Sequence, residues 1–120
     1  MKQTATALYN FASSFGWDAY PENAVPNNAE LPYITYTIQE YKFDEQGMLQ
    51  IRLWQVNESY TEINQKVDMI EQDIRNGKKL FTDSGIIYLY KGSPWCQYQP
   101  ADEPNLKIAY LNFTAHYATN

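Results

Sequence analysis

The hydrophobic pattern of the chain switches several times between helical and strand periodicity. Residues 3–15 place Ala7 or Leu8, Phe11 and Phe15 at helical spacing, with Gly16 as a stop, and predict a first short helix. Residues 17–32 hold too much Pro and Asn for regular structure and read as a polar arm. From Tyr33 the pattern alternates, with Tyr33, Thr35 and Thr37 on one side and Ile34, Tyr36 and Ile38 on the other. That predicts a strand over 33–43. The turn residues "DEQG" follow, then a second strand over 48–56 in which Leu49, Ile51 and Leu53 alternate with Gln50, Arg52 and Trp54. The pair reads as a hairpin with one buried and one wetter face.

A second helix is expected from Ser59, whose spacing to Glu62 is that of a capping box. Ile63, Val67, Ile70 and Ile74 form an apolar stripe that must face a sheet, and Asn76-Gly77 closes the helix. Its opposite face, with Gln65, Asp68, Gln72 and Arg75, reads as solvated. Two further strands are predicted, "GIIYLYK" over 85–91 and "LKIAYLNFTAHY" over 106–117. In the latter Ala109, Leu111, Phe113 and Ala115 alternate with Tyr110, Asn112, Thr114 and His116. Between them, residues 92–105 carry Pro94, Pro100 and Pro104 and read as a long, mobile loop of the kind that often carries function. The expected fold is α+β: one domain over 1–120, in the order α-β-β-α-β-β, with a four-stranded, mostly antiparallel sheet and helices on one face. The other face, rich in Tyr, Thr and Gln, is either wet or covered by a neighbour.

Composition narrows the function classes. At 120 residues the chain is long enough for a single core, and 44% hydrophobic with 19% charged residues places it among globular proteins. No apolar run is long enough to span a bilayer, and the start "MKQTATALYNF" reads as a cytosolic N-terminus without a leader. Nine Lys and Arg against 14 Asp and Glu give a formal charge of −5, and the basic residues are scattered apart from Lys78-Lys79. Sequence-specific nucleic-acid binding is therefore not expected, although an acidic protein can stand beside DNA and let it slide. Cys96 is the only cysteine, which excludes an intrachain disulfide or a cysteine metal cluster and fits a reducing cytoplasm.

Candidate chemistry is sparse. His116 is the only histidine, and Cys96, the one candidate nucleophile, has no local base. The carboxylate pairs Asp44-Glu45, Glu71 with Asp73, and Asp102-Glu103 sit in a turn, on a helix and in a loop, where plain solvation accounts for them. There is no Gly-rich phosphate loop. The chain is expected not to be an enzyme and to need no metal or cofactor. The aromatic excess, 11 Tyr, 5 Phe and 3 Trp, points instead to strand faces or binding surfaces. Trp17 and Trp54 read as core or arm anchors, whereas Trp95, near Tyr98, reads equally as an interface anchor or as core cover.

The run "VPNNAELPYITYTI", then "LQIRLWQVNESYTE" and the helix "INQKVDMIEQDI", resembles the tail terminator or tail-completion proteins of long-tailed bacteriophages and prophages. The likeness covers mainly residues 20–74. It implies a structural virion protein that forms a ring, usually hexameric, which caps the tail tube, stops its polymerisation and offers the head-joining surface. The implied partners are further copies of itself, the tail tube protein and a head-completion or neck protein, with DNA passing through the ring and no membrane. The implied place is the head-proximal end of the tail, after assembly in the bacterial cytoplasm. Tyr20, Val25, Pro26 and Pro32 of the arm, with Trp95 and Tyr98, are the expected interface residues. Two alternatives are a head-closure or neck protein of the same virion, and a carbohydrate- or receptor-binding module built on exposed tryptophans.

Overall fold

The structure is a computed structural model that describes residues 2–38, 46–83 and 85–119. Helix α1 (Lys2–Ser13) is followed by strand β1 (Asp18–Pro21), a 3-10 turn over Glu22–Ala24, β2 (Tyr33–Ile38) and β3 (Gln46–Val56). Helix α2 (Thr61–Ile74), β4 (Lys78–Phe81), β5 (Gly85–Gln99) and β6 (Leu106–Thr119) complete the chain. The "DEQG" turn lies partly outside the described residues, as do the end of the predicted first strand and the Asp44-Glu45 pair.

The expected four-stranded, mostly antiparallel sheet is not what forms. Six strands build one mixed sheet, β1-β2-β3-β6-β5-β4, curled into a half-barrel with two helices. β1 and β2 run parallel, and the remaining pairs run antiparallel. The additional strands are both four residues long. "DAYP" is hidden in an arm that ends in proline, and "KKLF" follows directly on a helix stop. Neither is long enough to show an alternation, so pattern reading passes over both.

Parallel pairing also explains the arm. Antiparallel strands can be joined by two residues, but parallel neighbours need a crossover that carries the chain back to the same end of the sheet. Residues 22–32 make that crossover between β1 and β2. The predicted loop needs a similar correction. β5 continues past Lys91 to Gln99 and stays paired with β6, with a register shift between Lys91 and Cys96 that absorbs Gly92 and Pro94. A Cβ on Gly92 would stand 2.8 Å from the Asn112 carbonyl oxygen, so the bulge needs glycine for its close approach to β6.

The helices stop where the sequence places their glycines: Gly16 and Gly77 adopt φ of 92° and 88°, open to glycine at no steric cost. The start of α2 is different from the predicted box. Ser59 Oγ accepts the Thr61 amide at 3.0 Å, while Glu62 accepts from Gln55 Nε2 instead of turning back to the Ser59 backbone. Both helices pack on one face of the sheet. Leu8, Phe11, Ala12 and Phe15 of α1, with Ile63, Val67, Ile70 and Ile74 of α2, close over Ile34, Leu49, Ile51, Leu53, Leu89, Leu111 and Phe113. Among the described residues, the antiparallel pairing of β2 with β3 and the four-residue stripe of α2 stand as the sequence predicts.

Candidate functional site

The opposite face of the sheet is left uncovered by either helix, and strand alternation decides what it carries. With Leu49, Ile51 and Leu53 turned to the core, Gln50, Arg52 and Trp54 must point away from it. On the neighbouring strands the same parity places Tyr33, Thr35, Tyr88, Tyr110 and Asn112 there.

These side chains form a connected polar band. Trp54 Nε1 donates to Thr35 Oγ1 at 2.9 Å, and Thr35 Oγ1 donates to Glu22 Oε1 at 3.2 Å. Arg52 Nη1 donates to the same Glu22 oxygen at 3.0 Å, and Arg52 Nε donates to Gln50 Oε1 at 3.1 Å. Gln50 Nε2 then donates to Asn112 Oδ1 at 3.1 Å, and Asn112 Nδ2 donates to the Pro94 carbonyl at 3.0 Å. The band thus runs from the crossover, over β2, β3 and β6, to the bulge of β5. Aromatic rings frame it: the Arg52 guanidinium lies 4.7 Å from the Tyr110 ring centre, and Tyr33 meets Tyr20 edge-on at 5.8 Å. Satisfied networks of this kind favour one arrangement of their members, and this one ties Glu22 of the crossover to the sheet. Gln50, Arg52 and Asn112 were legible as a wetter face; Glu22 was not, because nothing in an irregular arm tells which residue will reach the sheet.

The expected interface residues fall into two separate groups. Tyr20 sits half-buried on β1, Val25 is half-buried after the 3-10 turn, and Pro26 and Pro32 are exposed. Trp95 and Tyr98 lie on β5, close to the other end of the sheet order and on the helix side. Trp95 is half-buried and packs edge-on against Phe113 at 5.1 Å, as core cover does, while its buried Nε1 meets no hydrogen-bond partner among the described residues. Tyr98 is 43% exposed, donates to Asn64 Oδ1 of α2 and meets the Tyr60 ring at 5.4 Å. Burial of the hydroxyl, with Cys96 beside it, pushes the Tyr98 pKa up to about 12. Burial likewise raises the Cys96 thiol, with the neighbouring Tyr98 hydroxyl opposing and Glu71 and Asp68 adding to it, a direction away from thiolate activation.

Cys96 and His116 do not converge. Cys96 is registered with Leu111 on the helix side, whereas His116 is registered with Tyr88 on the open side. The three tryptophans do not share a platform either: Trp54 belongs to the open face, Trp95 to the helix face, and Trp17 lies under the Lys66 ammonium at 5.3 Å. Glu71 is paired with Lys91 and Asp73 with Lys78, while Asp102 and Glu103 are exposed. Among the described residues, no group of three or more His, Cys, Asp or Glu is placed to hold a metal ion. The arrangement is equipped for recognition by hydrogen bonds and ring contacts. No protein-family model matches the chain, and no curated protein matches it.

Proposed function

We propose that this chain is an assembly part of a long-tailed bacteriophage or prophage, a tail-completion protein that forms a ring on the tail tube. The observation that carries the reading is the open sheet face, with its fixed polar band from Glu22 to Pro94 framed by Tyr33, Trp54 and Tyr110. A part of a larger assembly needs a preorganised surface of this sort toward its partners, polar enough to stay dissolved alone and aromatic enough to bind. The sequence likeness over residues 20–74 supports the same reading, and a formal charge of −5 suits a ring through which DNA slides without sticking. In this role the chain arrests tube polymerisation and presents the head-joining surface. Its partners are further copies in a hexameric ring, the tail tube protein and a head-completion protein. It acts at the head-proximal end of the tail after assembly in the bacterial cytoplasm, without catalysis, cofactor or membrane.

The test is to add the purified protein to polymerising tail tubes and to examine the tubes by electron microscopy. Rings at one end of each tube, with elongation halted, are the expected result. A protein that leaves tube ends bare and tube length unchanged ends the proposal. Binding to the portal end of filled heads, with no affinity for tubes, reassigns the chain to the neck.

A further inference from the structure

We propose that copies of this chain join head to tail, the crossover arm of one copy lying along β4 of the next. The inference rests on the ring reading above and names the two surfaces that build the ring. β4 is an outer strand of the sheet among the described residues, paired only with β5. Along it runs an open groove of about 260 Å³, lined by all four residues of β4 and by Ala7, Asn10, Phe11 and Ser14 of α1. A helix flanking an edge strand is the arrangement to which extended segments add as a further strand, with backbone hydrogen bonds giving affinity and alternate side chains giving specificity. Phe81, at the end of β4, is 72% exposed and the most exposed large apolar side chain among the described residues.

Charge selects the occupant. Lys78 is paired with Asp73 at 3.2 Å, while Lys79 stands on the open face, 5.9 Å from the Tyr88 ring, and enters no ion pair among the described residues. The complementary segment is within the chain itself. Residues 17–32 contain Asp18, Glu22 and Glu30 and no Lys or Arg, and Glu22 is already engaged by Arg52. Residues 27–31 are free of proline and long enough to match the four residues of β4. With Glu30 set opposite Lys79, the two-residue period turns Leu31, 38% exposed in the single chain, to the helix side over Leu80 and the groove. Extending the arm opens one turn hydrogen bond, from the Ala29 amide to the Pro26 carbonyl at 3.1 Å. The arm and β4 are different patches at the two ends of the sheet order, so the contact is heterologous, the kind that repeats around a ring.

The experiment measures self-association of the full chain by sedimentation over a concentration series, for wild type, Glu30→Lys, Lys79→Glu, the double swap and Leu31→Asp. The expected result is that each single charge reversal weakens association by about three- to tenfold and the double swap recovers wild-type affinity. Leu31→Asp weakens it further, at an unchanged melting temperature. If wild type associates, or caps tubes, but the reversals have no effect or the swap fails to recover, the inference is overturned and the ring reading stands on another surface. If Lys79→Glu abolishes tube binding alone and leaves self-association intact, β4 belongs to the tube and the inference is likewise overturned. A wild type that stays monomeric at every concentration and on tubes removes both.

Discussion

The two faces of the sheet are made from the same strands, one residue out of step, and they are built on different physics. On the helix side Ile34, Ile51, Leu53, Leu89 and Leu111 are fully buried under the two helices. Each such side chain contributes about 1.5–3 kcal/mol by leaving water. On the open side their neighbours Thr35, Gln50, Arg52 and Asn112 are linked, with Glu22, by hydrogen bonds. These are worth about 0.5–1.5 kcal/mol net between neutral groups and about 1.5–3 kcal/mol where Arg52 or Glu22 takes part. The contrast separates two tasks. The helix face supplies most of the stability that keeps one fold, and the open face adds a polar network that fixes the arm against the sheet.

The comparison breaks hardest at the centre of the helix face. Ile70 is fully buried in the stripe of α2, and Ile70→Asp places a carboxylate in the apolar core between helix and sheet. The expected cost is about 4 kcal/mol or more, enough to unfold a domain of ordinary stability. Asp68→Ala, two residues away on the exposed side of the same helix, is expected to change stability by less than about 0.5 kcal/mol. Chemical denaturation of both variants checks the pair, and equal midpoints would show that the stripe does not bear on the sheet.

The same contrast explains what could be read before the fold was known. The α2 stripe and the β2–β3 alternation were legible because burial repeats over several turns or pleats, and repetition is what a sequence can display. The glycine stops of both helices were legible for a different reason, since each reports a local backbone demand. What stayed hidden were β1, β4 and the far half of β5. The first two are too short to repeat, and in β5 the bulge at Gly92 and Pro94 breaks the alternation while pairing with β6 goes on. Missing those strands made the sheet too small and left the arm without its crossover role. At the candidate site, the polar residues of the regular strands could be placed on one face, but their arm partner Glu22 depends on a contact to Arg52 thirty residues away in the chain.

Trp95 tests the boundary between the faces. Sequence reading left it equally an exposed anchor or core cover, and the structure seats it against Phe113 with Lys91 at 5.6 Å from the ring centre. Trp95→Ala removes an edge-on ring contact and much of a half-buried side chain, and the expected loss is about 2 kcal/mol. An anchor that served only a partner would cost less than about 1 kcal/mol in the isolated chain. Thermal melts distinguish the two outcomes. A near-neutral result would move Trp95 from the helix face, where it counts toward stability, to a surface reserved for binding.

Apart from the Asp68 control, the smallest effect is expected on the open face, at Thr35. Its side chain is almost fully buried beneath the arm and touches both Glu22 and Trp54 through one oxygen. Thr35→Val keeps the shape and deletes that oxygen, so the Trp54 Nε1 loses its acceptor and Glu22 loses one of its two donors. In a sealed interior an orphaned donor costs about 1–3 kcal/mol, but Trp54 and Glu22 are only half-buried and water can replace the missing partner. The folding cost should therefore stay near 1 kcal/mol or below. The consequence for binding should be larger than that for folding. Without the Thr35 link, Glu22 is held by Arg52 alone, and the crossover that the proposed ring contact uses is less firmly placed. A variant that melts close to wild type yet associates more weakly would mark this face as built for partners. A loss of several kcal/mol would show instead that the polar band is part of the core, and that the two faces share the work of folding.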